Sequence, residues 1–396
     1  MLLVNVILIV LAVVVAIPAA MFCLEVIVAV LTRPRMIPVN DEEAAPRFVV
    51  LIPAHNEQAV IKRTLDTLLP TIPPGNKVVV VADNCTDNTA AIARQCGAKV
   101  LERFNATHRG KGFALDFGLA YLVDSAPEVV VFLDADCRVD EHMAVRLAKA
   151  AKQTGCPVQG LNLCDPDPRG GVMQSVSGLA FRFKNLVRPL GLTRLAGMTH
   201  LTGTGMALPW ALINRVQIAS SNVVEDMQLG IDLAVSGYRT QFLPTASVNS
   251  PFPLQPAAAK TQRTRWEHGH LRTLFSQAPR LLWRSIQNCR VDLFLLAVDL
   301  AIPPLSLLVM GTAAFCLFAT LAWLLGASAV PFFIAAAAFC SIGANVLLGW
   351  AVHCREQIPL QALLLAPLYA VLKLPIYGAF LWKRQLQWVR TARDPS

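Results

Sequence analysis

Charge is scarce in this 396-residue chain: 15% of its residues are charged, against 55% that are hydrophobic. A single soluble globule does not carry so apolar a composition, so part of the chain belongs in lipid. Metal-finger and disulfide patterns are missing as well. The ten cysteines include no CxxC spacing, which argues against a zinc ribbon or a disulfide framework and fits free thiols in a reducing compartment. Nor is there a basic block of the kind that grips nucleic acid. The net charge of +9 comes from scattered residues that gather where the chain should meet a membrane. An anionic lipid surface is therefore the simpler partner, and no nucleic acid is expected.

What is there is unevenly placed. Apolar residues concentrate before residue 32 and after residue 292, leaving a mixed stretch long enough for one large soluble domain. Residues 2–31 run apolar except for Asn5, Pro18 and Glu25, which is longer than the ~20 residues a crossing helix needs. Basic residues follow this run, at Arg33 and Arg35, rather than preceding it. It reads as an uncleaved anchor over residues 1–32 that leaves the next domain in the cytoplasm. Three further apolar stretches, near 292–326, 329–352 and 358–382, make a C-terminal membrane region over 292–382. In the first of them Asp299, Pro303 and Pro304 point to an interfacial piece ahead of a true span near 305–325. Three crossings would carry the C-terminus outside, yet the tail 383–396 holds Lys383, Arg384, Arg390 and Arg393, which prefer the cytoplasm. Either the third stretch, with Pro367, Lys373 and Pro375, is re-entrant or the first crosses twice; the sequence supports both.

Between the membrane segments, three β-branched runs at 48–53, 77–82 and 128–133 are each followed by a polar turn and a helix-compatible segment. That alternation predicts a parallel sheet in an α/β domain, with ligands bound beyond the carboxyl ends of the strands. The residues at those ends are His55, Asn56 and Glu57, then Asp83, Asn84 and Asp87, then Asp134 and Asp136. Acidic clusters gathered on one sheet edge repel each other unless a cation or a donor-rich ligand sits among them. A nucleotide diphosphate with Mg2+ or Mn2+ supplies both. Each cluster alone has a plainer account. FLDADC fits an Asx turn, Asp83 or Thr86 could cap the helix holding Ala90 to Arg94, and HRGKG at 108–112 could be only a basic turn. A lysine between glycines is nonetheless well suited to meet a phosphate.

The motifs LIPAHNE (51–57), ADNCTDNT (82–89), RGKGFALDFG (109–118), LDADC (133–137), LTGTG (201–205), VED (224–226) and QRTRW (262–266) follow one another in this order. In that order they resemble the membrane-bound family 2 glycosyltransferases of GT-A fold, related to cellulose, hyaluronan and ceramide sugar transferases. The resemblance covers residues 47–270 and implies a Rossmann-like GT-A domain at 41–270, in the cytoplasm, with one N-terminal and about three C-terminal membrane segments. It also implies roles. Asp83 matches the carboxylate that contacts a uracil ring, Lys111 the lysine near the nucleotide, and Asp134 and Asp136 the DxD pair around metal and diphosphate. His55 and Glu57 fall in the donor-binding set with them. Asp226 matches the general base, and Gln262, Arg265 and Trp266 match the QxxRW motif that closes over diphosphate and acceptor. Ala82 and Val224 depart from the cellulose-synthase pattern, which weakens a reading of cellulose synthesis without removing a residue the chemistry needs. The acidic pair Glu225 and Asp226, taken alone, also suits the first turn of the helix that follows.

Two segments have amphipathic spacing: Leu179 to Leu190 beside Arg182, Lys184 and Arg188, and Leu274 to Leu282 beside Arg280 and Arg284. Both could lie on a membrane with their basic side chains snorkelling, the second within an interfacial segment at 271–291, or pack on a core. The interfacial reading points to a lipid or lipid-linked saccharide as acceptor. His268 and His270 do not share a helical face, which disfavours a metal pair. The expected protein is thus an inner-membrane, multi-pass enzyme of exopolysaccharide or glycolipid synthesis, working with a nucleotide-sugar, a divalent metal and other polysaccharide-assembly proteins. A processive β-glycan synthase is the nearest rival, favoured by QRTRW and disfavoured by the few spans. A non-catalytic membrane scaffold is the alternative of another class.

Overall fold

A computed structural model describes residues 1–34, 37–40, 42–215, 218 and 225–382. Arg35, Val224 and the four basic residues of the tail lie outside the described residues. The chain divides into two compact units, one built on a sheet and one on helices.

The sheet unit holds residues 36–169 and 198–266. Its strands are β1 (Phe48–Ala54), β2 (Lys77–Asp83), β3 (Lys99–Arg103), β4 (Val129–Phe132), β5 (Arg138–Val139), β6 (Val158–Leu163), β7 (Met206–Pro209) and β8 (Gln241–Asn249), in the order β3-β2-β1-β4-β7-β6-β8-β5. The three runs expected to form parallel strands do so, with β2 and β4 flanking β1. The sheet as a whole is mixed, because β7 runs antiparallel between β4 and β6. Both faces are covered. Phe48, Val50 and Ile52 pack on one side with Ile61 and Leu65 of α2 (Ile61–Leu68) and with Met143 and Leu147 of α5 (Met143–Thr154). Val49 and Leu51 pack on the other side with Leu115 and Leu119 of α4 (Lys111–Leu122) and Leu229 of α9 (Glu225–Val235). Burial on both faces explains why β1 and β2 read as continuous apolar runs rather than alternating ones. Helix α4 comes so close to the sheet that a Cβ on Gly118 would meet Leu51 Cδ1 at 2.6 Å and Val81 Cγ2 at 2.9 Å. The short helices α3 (Thr89–Gln95) and α8 (Trp210–Ile213) complete the unit, together with the first residues of α10 (Pro256–Gln287).

The helical unit takes α1 (Leu2–Leu31), α6 (Gly171–Arg182), α7 (Arg188–Ala196) and the chain from Glu267 onward. Beyond α10 it comprises α11 (Val291–Leu300), α12 (Leu305–Leu324), α13 (Val330–His353), α14 (Leu360–Leu372) and α15 (Leu374–Trp382). Among the described residues four segments are long and apolar enough to cross a membrane: Leu2–Leu31, Leu305–Leu324, Val330–His353 and Leu360–Phe380. The break expected ahead of residue 305 is present, since α11 ends at Leu300 and Pro303 and Pro304 precede α12. Helices α1 and α13 run parallel. Asn5 Oδ1 accepts a hydrogen bond from Ser328 N at 2.9 Å beside the α12–α13 turn. Further along both chains Cys23 lies beside Asn345, Val26 beside Gly349 and Ala29 beside His353.

Residues 170–197 fall inside the stretch expected to be one continuous 41–270 domain, yet they pack in the helical unit. The snorkelling reading of this segment needs correction. Arg182 and Arg188 are buried with Leu179, Phe183 and Val187. The reason is electrostatic: Arg188 pairs with Glu25 at 3.1 Å and with Asp299 at 2.5 Å, so the guanidinium finds its counter-charges inside the unit instead of in water. In the second segment Ala278 and Leu281 are buried while Arg280 and Arg284 are exposed.

His268 and His270 serve the helical unit. Their Nε2 atoms donate to the carbonyls of Ile376 and Ile302, each at 2.9 Å. Burial, with Lys184 and Arg188 nearby, pushes His270 down to about 3, so it is neutral at physiological pH. An unfolded chain takes up that proton near pH 6.5, so stability is full above about 6.5 and falls as the pH drops toward about 3, by at most about 1.4 kcal/mol per pH unit. Thermal unfolding in detergent between pH 7.5 and pH 5 should show this loss, and His270→Gln should flatten it; an unchanged slope in the variant would assign the acid sensitivity elsewhere.

Candidate active site

The carboxyl ends of β2, β1 and β4 lie side by side because these strands are parallel neighbours. Geometry thereby gathers three turns that are far apart in the chain. At the first, His55 Nδ1 donates to Asp83 O at 2.7 Å, joining the ends of β1 and β2. Asn56 has φ 55°, and its Oδ1 accepts from Thr86 N at 2.7 Å. Glu57 is buried. Its amide donates to Thr89 Oγ1 at 2.8 Å, and its carbonyl accepts from Ile61 N at 2.9 Å, which starts α2.

In the second turn neither Asp83 nor Thr86 caps a helix. The N-cap of α3 is Asn88, without a side-chain cap, and the neighbouring Asp87 carboxylate accepts from Thr89 N at 3.0 Å and from Gln58 N at 3.2 Å. Asp83 is buried against Arg103, whose Nη1 lies 2.5 Å from Oδ1, and Asn84 Nδ2 donates to the same oxygen at 3.0 Å. Arg103 ends β3 as Asp83 ends β2, and the two are directly opposite in the strand register. Its other guanidinium nitrogen donates to His108 O at 2.8 Å, ahead of α4.

The third turn is the centre. Lys111, the first residue of α4, follows Gly110 at φ 124° and reaches both Asp134 Oδ1 at 2.5 Å and Gly203 O at 2.8 Å. Asp134 N donates to Thr204 Oγ1 at 3.0 Å, tying LDADC to LTGTG. Asp136 is buried beside Cys137. Burial, with Asp136 and Asp134 close by, pushes the Cys137 thiol well above its usual range, so it stays protonated. Gly203 has φ 88°, and a Cβ built there would stand 2.8 Å from Asp226 Oδ2 and 3.4 Å from Lys111 Nζ. Asp226 and Lys111, 115 residues apart in the sequence, thus lie about one absent methyl group, and Lys111 holds Asp134. Gln262, Arg265 and Trp266 share one face of α10 near its start, Gln262 buried and the other two half-buried.

Sequence reasoning passed over two residues that hold this arrangement. Gln159 is a buried amide in β6, a strand whose only other polar side chain is Asn162. Its Oε1 accepts from Thr202 N at 2.8 Å, and its Nε2 donates to Thr204 O at 2.9 Å, so one side chain fixes the LTGTG loop. Arg103 is the second. A polar residue interrupting an apolar strand, or ending one on the ligand edge, was the available signal for both.

Among the described residues no group of three or more His, Cys, Asp and Glu forms a metal cage. A pair of carboxylates still suits Mg2+ or Mn2+, which commonly take one or two from the protein and complete their shell with phosphate and water.

Comparison with known proteins bears on this arrangement. The family described as "Glycosyltransferase like family 2" matches residues 46–269. The probable glycosyltransferase YdaM of Bacillus subtilis (strain 168) is 27% identical over 247 residues, covering 57% of this chain and 55% of its own. The 4,4'-diaponeurosporenoate glycosyltransferase of Staphylococcus haemolyticus (strain JCSC1435) is 26% identical over 207 residues, covering 48% and 52%. The chain therefore spans about half the length of these curated relatives. Among solved structures, the mannosyltransferase PcManGT from Pyrobaculum calidifontis, in complex with GDP-Man and Mn2+, aligns with a TM-score of 0.56 at 18% identity, over 96% of this chain and 100% of that one.

Gly203→Ala should displace the Asp226 carboxylate while leaving Asp83 untouched. A shift of that kind near reacting atoms costs on the order of 100-fold in turnover, so kcat should fall by about that factor with nucleotide affinity held within about 3-fold. Unchanged turnover in Gly203→Ala would detach Asp226 from the chemistry.

Proposed function

Since the chain belongs to glycosyltransferase family 2 and has the GT-A fold, we propose that it moves a sugar from a uridine-diphosphate donor to a lipid or lipid-linked saccharide, with inversion at the anomeric carbon. The observation that carries this reading is the convergence of Lys111, Asp134 and Asp226 about Gly203. A cation, a diphosphate-binding carboxylate and a second carboxylate able to take a proton are the groups an inverting displacement needs.

The donor's base lies against Asp83, held in place by Arg103. Lys111 gives up its contact with Asp134 to meet the diphosphate. Asp134 and Asp136 would hold a Mg2+ or Mn2+ ion, which when bound neutralises charge on the departing diphosphate. Arg265 adds a guanidinium to the same leaving group, and Gln262 and Trp266 help to close the site over diphosphate and acceptor. Asp226 takes the proton of the acceptor hydroxyl as it attacks the anomeric carbon. An in-line attack on an α-linked donor leaves a β-linkage. The four apolar segments favour a membrane-borne acceptor, and Arg33, just beyond α1, favours a cytoplasmic sheet unit in the inner membrane.

Purified protein incubated with several nucleotide-sugars and extracted lipids should give a product heavier by one sugar. A ladder of masses would support the processive β-glycan synthase that QRTRW also fits, and absence of product would favour a scaffold. Asp226→Asn should lower transfer by about 10²- to 10⁴-fold while donor binding persists; full activity would remove Asp226 as the base. Asp136→Ala should abolish the dependence of donor affinity on Mg2+ or Mn2+, and an affinity that never depended on metal in the parent protein would discard the metal assignment.

A further inference from the structure

The segment Leu360–Phe380 passes every test of length and hydropathy for a membrane crossing, but its contacts are those of a segment that stays at one end of the helical unit. Parallel α1 and α13 define two ends. At one, Asn5 meets Ser328 beside the α12–α13 turn. At the other, Ala29 meets His353, and there α12 begins at Leu305, since it runs back from this end to the turn. About 24 residues of helix separate the two ends, or roughly 36 Å at 1.5 Å per residue, enough to cross the hydrocarbon core.

Both ends of the fourth segment lie at the second end. At its start Trp350 Nε1, in the last turn of α13, donates to Ile358 O at 2.8 Å. Near its finish Tyr377 Oη lies 2.8 Å from Ser306 Oγ, in the first turn of α12, and Tyr377 and Phe380 pack with Leu307 and Met310. A straight 21-residue crossing would have carried Phe380 about 30 Å away from that level. Instead the helix breaks at Lys373, between α14 and α15. The break is fixed from inside: the buried Lys373 ammonium pairs with buried Glu267 of α10, and Tyr377 Oη donates to the other oxygen of that carboxylate at 3.1 Å.

The outward face of this end is suited to lipid headgroups. On α14 the exposed residues Leu360, Leu364 and Leu368 recur every fourth position, while Ala362, Tyr369 and Lys373 turn inward. On α10, Phe275, Trp283 and Ile286 are exposed beside exposed Arg272, Arg280 and Arg284, with no exposed acidic residue between Glu267 and Arg290. Aromatic and aliphatic side chains interleaved with cations, and free of anions, match the boundary between acyl chains and anionic headgroups.

We infer that Leu360–Trp382 is not a fourth crossing but lies, with α10, in the headgroup layer at the end of the bundle where α1 leaves the membrane. The described residues then cross three times, through α1, α12 and α13, and α15 finishes at the end of the bundle at which α1 ends. With three crossings the basic residues of the tail are expected on the side of the membrane at which α1 ends, which removes the conflict between counting apolar stretches and reading the charges of the tail. The inference concerns the path of the chain and stands whether or not the sugar chemistry holds.

The test is sidedness in the full-length protein. Ala327→Cys and Ser396→Cys, each in a chain with Cys289→Ser, are treated with a membrane-impermeant maleimide in intact and in permeabilised cells. The two positions should label from opposite sides of the membrane, one in intact cells and the other only after permeabilisation. A full-chain fusion of a compartment-sensitive reporter after Ser396, which alters nothing inside the fold, should agree with the Ser396→Cys result. Labelling of both cysteines from the same side overturns the inference and restores four crossings.

Discussion

One ammonium group organises the site. Lys111 Nζ binds Asp134 and the carbonyl of Gly203 together, and so links the start of α4, the end of β4 and the loop before β7. Lysine is able to do this because it carries three donors on a flexible stem and makes no demand for a planar partner. Gly203 completes the link by lacking a side chain at φ 88°, which admits the Asp226 carboxylate to the same spot. The loop would not hold that shape unaided. Gln159, buried below it, holds Thr202 N and Thr204 O, and a buried amide left unpaired there would cost about 1–3 kcal/mol.

A second design principle governs the helical unit, where charges are buried in matched sets. Arg188 faces Glu25 and Asp299, and Lys373 faces Glu267. Such pairs are weak sources of net stability, yet removing one partner leaves an uncompensated charge that costs about 3–5 kcal/mol. They therefore specify which helices meet. A stripe of leucines can slide along another, whereas a guanidinium flanked by two carboxylates has one register. Gly191 reinforces it, because a Cβ there would meet the Glu25 carbonyl oxygen at 2.1 Å. Intimate backbone approach and charge matching together fix α7 against α1.

Much of this was legible in the residue order. The three strands that carry the site were readable because burial on both faces of the sheet requires continuous apolar runs, and Asp83, Asp134 and Asp136 stood out as the acidic residues that end them. The break before α12 was visible in Pro303 and Pro304. Arg103 and Gln159 carried only the faint signal of a polar residue in or at the end of an apolar strand, and nothing local distinguishes an arginine that pairs across strands from one that faces water. Arg182 and Arg188 misled for the same reason: a basic residue beside an apolar stripe looks like a snorkelling side chain until its carboxylate partners, 111 and 163 residues away from Arg188, are seen to converge on it.

The sequence by itself determined the class of the protein. Apolar length, the ordered motifs and the β-branched runs are local properties, and local properties survive without a fold. Only the tertiary structure decided which side chains meet: that Asp226 lies against Gly203 and Lys111, that Asp83 pairs with Arg103 instead of capping α3, and that α14 and α15 begin and end at the same end of the helices α1, α12 and α13. Those are facts about pairs of residues distant in the chain, and hydropathy, which sums along the chain, carries no information about where its ends return.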